Sequence, residues 1–418
     1  MKAVLLVCSW ALSLSLGSAR AADEAPRIEL AHYWISASER ASLDLIAQQF
    51  KAGGGRWSDT PSPDYELMKR DAVMRIAAGF PPAAMWLGAE DIASLGALGL
   101  ATPLNDMAQQ DAWQTRLYGF VLPELRNKGD LVGLPVTLHN ENWAWFNAKL
   151  YRRLHLPLPK TWDDVLAQAP AFVRAGLMPL AISDQAWNVR LLFTTLMAGA
   201  AGPELYRRLY VKEDPTVFDE PRVIRVLEIL GQLRAYRPPT GKVKTWNAAT
   251  ALVIQGQAAM QVMGDWAKGE FKSVGTGADQ DFVCAPVPEA QQSFITAIDM
   301  LSFPRVRDAS SQAGQRLLAK LILEPRLQAA FARKKGSLPV LKDIPVTELD
   351  ACAADSLVRL NNADARLASP RSTTSERARI EMQDEVGAFW MRPEITVAEL
   401  RQRLKQAMRK NQGAGKAA

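Results

Sequence analysis

What most constrains this chain is the change of hydrophobic period along its first hundred residues, where strand-like and helix-like segments take turns. The stretch "RIELAHYW" alternates and then turns apolar, which predicts a strand from Ile28 to about Tyr33. In "SASERASLDLIAQQFKAGG", Leu43, Ile46, Ala47 and Phe50 share one helical face, Ser36 or Ser38 can cap the start, and Gly53 ends it. A second amphipathic helix, "DYELMKRDAVMRIAAGFPP", stops at Gly79 and Pro81; "AAMWL" then reads as a buried strand and "EDIASLGALG" as another helix. Such alternation calls for an α/β domain with helices covering a sheet. The glycines at 53–55 lead into "RWSD" without the continuation that cradles phosphate, so they read as a helix stop and a flexible loop.

The alternation breaks at "GDLVGLPVTLHNENWAWFNAKLY", two β-rich runs separated by a short polar step, which suits a crossing between lobes. From "TWDDVLAQAPAFVRAG" to "ATALVIQGQAAMQVMGDW" the pattern is mostly helical, with Thr161 as a cap and Asp163 and Asp164 in a first turn that favours carboxylates. "DFVCAPVP" reads as a strand leaving the second lobe and "FITAIDMLSFPRV" as a strand pair. "SQAGQRLLAKLILEPRLQAAFARKKG" reads as one long helix, and the tail as two helices broken at Pro393. A chain of 418 residues exceeds what one hydrophobic core usually supports, so two domains are expected.

Lys2, the apolar run from Ala3 to Leu16 and the small-residue stretch "SARAAD" form a secretory signal peptide, residues 1–22, with cleavage after Ala21 or Ala22. The run is shorter than the roughly 20 apolar residues a spanning helix needs. Cys8 follows Val7 rather than a small residue, which disfavours a lipid attachment site. Export leaves Cys284 and Cys352 in an oxidising compartment, where a disulfide and two separate buried thiols both fit the sequence. The formal charge of +6 is spread along the chain, and the densest basic run, "ARKKG" at 332–336, reads as a helix end rather than a nucleic-acid footprint.

Catalytic chemistry finds no foothold in the sequence. His32, His139 and His155 carry no hydrolase elbow or metal-ligand spacing, and Cys-x-x-Cys is absent. Asp163 with Asp164, and Asp355 with Asp364, are carboxylate pairs only along the chain. No catalytic residue, metal or cofactor is therefore expected. The chain is instead rich in tryptophan, twelve in all, and several stand beside predicted strand ends. Ligands of open α/β sheets gather outside the carboxyl ends of strands, and an indole face covers the C–H face of a sugar ring. By position, Trp34 and Trp266 are the candidates for that role.

Four segments resemble the extracellular solute-binding family 1 of ABC transporters, within it the branch that binds glucose and related monosaccharides. They are "HYWISASE", "GLPVTLHNENWAWFN", "WNAATALVIQGQAAMQVMGDWAKGEF" and "KKGSLPV", supported by "TWDDV" and "AIDML". The resemblance implies a periplasmic binding protein of type II: two lobes, each a central sheet flanked by helices, joined by hinge crossovers near 135–140, 286–288 and 337–340. The implied lobes are 23–137 plus 287–337 and 138–286 plus 338–418. It implies ring contacts from Tyr33, Trp34 and Trp266, hydroxyl contacts from Glu39, Asp299 and Lys335, and a crossover lined by His139 and Asn142. It further implies a monomer that captures a small saccharide and delivers it to the membrane subunits of an ABC permease, with no nucleic-acid partner.

The sequence also departs from that branch. Met85 and Leu87 stand where a polar residue, often lysine, is expected; "TPSPDYELMK" replaces a glycine-rich segment; Ile182, Ser183 and Asp184 replace glycines. The late histidine is missing, leaving Ser369, Arg371 and Ser372. These departures predict a pocket altered from the glucose-binding pattern. Two other readings compete with transport, a ligand-altered receptor for a membrane sensor kinase and a secreted carbohydrate-active enzyme, the second requiring a carboxylate facing Asp299 or Glu39 at glycosidase distance.

Overall fold

The computed structural model describes residues 25–275 and 281–414, so the leader over 1–22 lies outside the described residues. The described strands, in chain order, are β1 (Arg27–His32), β2 (Arg56–Pro61), β3 (Ala84–Leu87), β4 (Arg126–Asn127), β5 (Asp130–Leu131), β6 (Gly133–Asn140), β7 (Trp143–Asn147), β8 (Met178–Ala181), β9 (Ala258–Val262), β10 (Phe282–Pro286), β11 (Phe294–Ser302) and β12 (Arg366–Ala368). β1 lies between parallel partners β2 and β3. β11 runs antiparallel to β3 and β6, and β12 runs parallel to its first residues. The second sheet has the order β10-β7-β9-β8, and β4 and β5 form a small separate hairpin.

Each sheet carries its own core, which makes the architecture α/β with two lobes. Ile28, Phe50, Trp86, Leu134, Met300 and Phe331 belong to the first core, and Phe146, Leu192, Tyr206, Leu230, Phe389 and Trp390 to the second. Helices cover both sheets because their apolar stripes have nowhere else to be buried. The helix Ala37–Ala52 starts as its sequence dictates: Ser36 accepts the Glu39 amide, the Glu39 carboxylate accepts the Ser36 amide, and two otherwise orphaned donors are satisfied. Thr161 and Asp164 form the same box at the helix Trp162–Arg174.

Three elements differ from the sequence expectations. "RWSDTP", to which the sequence pattern assigns no element, is the edge strand β2, whose polar, largely exposed residues carry no hydrophobic signal. "FITAIDMLS" is one continuous strand with an irregularity between Asp299 and Met300, not a pair. The long helix is two, Ala309–Ile322 and Pro325–Lys335, because Pro325 cannot donate to a preceding turn and starts a new helix instead.

The chain leaves the first sheet after β6, enters the second at β7, and returns from β10 to β11. Asn142 fastens this passage: its amide nitrogen donates to the Ser293 carbonyl at 3.0 Å, and its side-chain oxygen accepts the Ile295 amide at 2.7 Å. Leu338 exchanges both backbone hydrogen bonds with Leu138 on β6 and sits in the first core. The chain then passes through the helix Ala351–Asn361 and β12 to the helix Glu376–Met391, which packs in the second core. Cys284 on β10 and Cys352 on the intervening helix form a disulfide, with Cα atoms 6.1 Å apart. Among the described residues, no helix is long and apolar enough to cross a membrane.

Candidate functional site

The ends of β1 and β3 and the irregularity in β11 bring the first group of side chains to the seam between the lobes. Tyr33 directly follows β1, and its ring meets Tyr65 edge-on at 5.3 Å. The Tyr65 hydroxyl accepts the Gly88 amide beyond β3 at 2.9 Å and donates to Asp91. Burial raises both phenols far above their usual range, so each remains a protonated donor. Lys335, at the end of its helix, is 2 % exposed; its ammonium lies 3.4 Å from Glu39 and 4.5 Å from the centre of the Trp34 ring. An indole face holds a desolvated ammonium well. Trp34 is itself 1 % exposed, packed against Trp86 and Phe331.

The second lobe contributes the turn after β9, where Asp265 and Trp266 stand in succession. Asp265 ties back to β6 through Asn140: its amide donates to the Asn140 carbonyl at 3.0 Å, and its carboxylate accepts the Asn140 amide at 2.9 Å. His139 donates Nδ1–H to Asp265 at 2.5 Å and Nε2–H to Asp299 at 3.1 Å. Burial alone would push the imidazole down, but the two flanking carboxylates outweigh it and raise its pKa to about 9. Burial likewise opposes ionisation of Asp299, and His139 and then Lys335 overcome that and hold it below the usual carboxylate range. Trp266 meets the His139 ring edge-on at 5.2 Å and lies 6.5 Å from Trp187. Its ring covers Gly264 so closely that a Cβ there would fall 2.2 Å from it.

Further charges line the same seam. Glu141 is buried and accepts the Ser369 hydroxyl at 3.0 Å. Burial raises its pKa against the pull of Arg190 and Arg371. The Arg371 guanidinium lies 4.4 Å over the Tyr65 ring. At one rim, Lys69 is shared by Asp91 at 3.1 Å and Glu376 at 2.8 Å, while Glu90 accepts the Glu376 amide at 3.0 Å. At another, Ser38 donates to Glu270 from both its amide and its hydroxyl. Beside it the buried Lys268 meets Asp350 at 2.9 Å, and Lys272 reaches the same carboxylate.

Of the residues named from sequence, Tyr33, Glu39, His139, Trp266, Asp299 and Lys335 gather around this seam. Trp34 lies one layer beneath it, under the Lys335 ammonium, and Asn142 is occupied by the hinge passage described above. Tyr65, Glu141, Asp265 and Arg190 join the seam without having been expected there. Asp265 had a signal, since it immediately precedes Trp266; Glu141 and Arg190 had none, because burial of a charge is invisible in a lone sequence. Arg371 was visible only as a departure from the resembled pattern. Met85 and Leu87 line a cavity of about 420 Å³ with Val73, Ile76 and Leu98, away from the His139 cluster. No group of three or more potential metal ligands occurs among the described residues. What the seam offers instead is ring faces, hydroxyl donors and ionised hydrogen-bonding groups gathered from both lobes, a binding chemistry.

Residues 36–298 match the family described as bacterial extracellular solute-binding protein. A protein of Mesorhizobium japonicum named probable sugar-binding periplasmic protein is 30% identical over 362 residues, 86% of each chain. One of the same name from Rhizobium meliloti is 29% identical over 85% of each chain. Among solved structures, the bacterial solute receptor AcbH, described as preferring β-D-galactopyranose, superposes with a TM-score of 0.77 over 93% of this chain and 99% of its own, at 16% identity. Maltose-bound MalE3 of T. maritima gives 0.76 over 92% and 99%, also at 16% identity. These structural likenesses carry the two-lobed type II binding-protein fold.

Proposed function

Since the chain belongs to the bacterial extracellular solute-binding protein family and is periplasmic, we propose that it captures a monosaccharide or small saccharide between its lobes and hands it to the membrane subunits of an ABC permease. The lobes are taken as the two sheets with their helices, divided at the passage that Asn142 fastens, so that His139 at the end of β6 stands with the first sheet. The observation that carries this reading is the meeting of Trp266 and Asp265 from one lobe with His139, Asp299 and Tyr33 from the other. Trp266 supplies a ring face for C–H groups; Asp299 accepts from hydroxyls and Lys335 donates to them. Closure brings the two halves of this set together, and the ligand stabilises the closed form by the difference in its affinity for the two states. No step breaks a covalent bond, and the ligand leaves as it entered.

The experiment is a thermal-shift screen of the purified chain against monosaccharides, disaccharides and sugar acids, followed by calorimetry. A ligand at a hundredfold excess over its Kd stabilises by about 2.7 kcal/mol, a readily measured shift. Trp266→Ala is expected to weaken the hit at least about tenfold while the unliganded melt stays cooperative. A panel in which no saccharide moves the melt defeats the reading.

A further inference from the structure

Arg371 is a cation at the seam with no ion pair among the described residues. Its guanidinium stacks on Tyr65. The carboxylates that reach it at longer range are Glu141 and Asp299, and the neutral Tyr65 and Tyr33 phenols stand beside it. Asp299 is already engaged by His139 at 3.1 Å, and Glu141, whose pKa burial raises, accepts the Ser369 hydroxyl at 3.0 Å. A second guanidinium, Arg190, stands close enough to Arg371 to repel it. Arg190 is 7 % exposed and likewise forms no ion pair among the described residues. Its Nε donates to Gln383 at 3.2 Å, while its Nη1 is buried without a partner. Arg75 and Arg225, by contrast, are matched to Glu29 and Glu289.

The half-buried Arg371 and the buried Arg190 draw on Glu141 and Asp299 only at longer range, and neither fork is met by a carboxylate among the described residues. An unpaired charge removed from water costs several kcal/mol unless something compensates it. A guanidinium fork matches a carboxylate or phosphate with two parallel hydrogen bonds and matches a lone hydroxyl poorly. We propose that the ligand carries an anionic group, the carboxylate of a sugar acid or a phosphate ester, and that Arg371 receives it against the Tyr65 ring. This deepens the saccharide reading and rests on it.

Calorimetry on the full mature chain tests the proposal with matched probes: glucose and galactose against glucuronate, galacturonate, gluconate and glucose 6-phosphate. The expected result is an acid bound at least about tenfold more tightly than its neutral parent. Arg371→Gln should erase that preference, and Arg371→Lys, which keeps the charge and loses the fork, should fall between. The carboxylate and phosphate arms identify which anion is read. If the glutamine variant does not fold, the lysine variant and the suppression of acid binding by added salt in the unaltered chain decide the same question. A neutral sugar bound as tightly as its acid, or an acid preference unchanged in Arg371→Gln, overturns the proposal and leaves the saccharide reading standing. Absence of binding by every sugar and every acid defeats both.

Discussion

Asp265 receives the Nδ1 proton of His139 at 2.5 Å from across the seam between the lobes, while Asp299 receives the other ring proton at 3.1 Å. The imidazolium is therefore a shared fastener, and its pKa of about 9 makes stability depend on pH. The folded value is raised above the unfolded one, so the contribution is complete below about pH 6.5 and disappears as pH rises through about 9. The full amplitude is about 3 kcal/mol. Urea unfolding measured from pH 6 to pH 10 should show this loss, and His139→Gln should abolish it. An identical slope in the variant would refute the assignment.

Lys268 forms its ion pair with Asp350. It is 2 % exposed, and Asp350, which it meets at 2.9 Å, also caps the helix Ala351–Asn361 by accepting the Ala353 amide. Burial disfavours the ionised form of Asp350, but Lys268 and Lys272 overcome this and hold it at about 2. Its contribution is present above about pH 4 and is lost as pH falls through about 2. Asp350→Ala should cost about 3 kcal/mol in denaturant titration at neutral pH. Asp350→Asn keeps the cap oxygen and should cost about 1 kcal/mol less.

The Cys284–Cys352 disulfide closes a separation of 68 residues. Cross-linking a loop of that length restricts the unfolded chain, and its removal should cost about 2–4 kcal/mol. Cys284→Ser with Cys352→Ser, melted beside the oxidised parent, provides the measurement. Free thiols found by mass spectrometry in the exported protein would contradict the pairing.

Gly264 sets the position of Trp266 by having no side chain. An added Cβ would lie 2.2 Å from the indole, a distance that forces the ring to move. Gly264→Ala should therefore shift the tryptophan emission and weaken saccharide binding by about tenfold or more, with a cooperative melt retained. Unchanged affinity in that variant would remove Trp266 from the binding surface.

Local features were the most legible part of this fold. The Ser36 cap, the Thr161 cap and the alternation of strand and helix are each decided within a few residues, and they stand in the structure where the pattern places them. β2 was missed because an edge strand of polar residues has no periodic signal. Trp34 and Trp266 show the limit of positional reasoning, since both follow strands. One is sealed beneath Trp86, Phe331 and Lys335, whereas the other stands at the seam against His139. The difference lies in partners distant along the chain. The same holds for the charge cluster: His139 is 126 residues from Asp265, and Lys335 is 296 residues from Glu39. Residue type could nominate these groups, but only the fold decides which of them meet.

Lys69 shows how the rim can come undone without leaving a bare charge. It is bonded to Asp91 beside it and to Glu376 on the opposite face. Parting the faces takes away Glu376 and leaves Asp91 and, at 3.2 Å, Glu66, so the ammonium never stands bare. Glu376 withdraws to the first turn of its own helix, where exposed amide dipoles welcome a negative charge. The contact is a clasp with one jaw always filled.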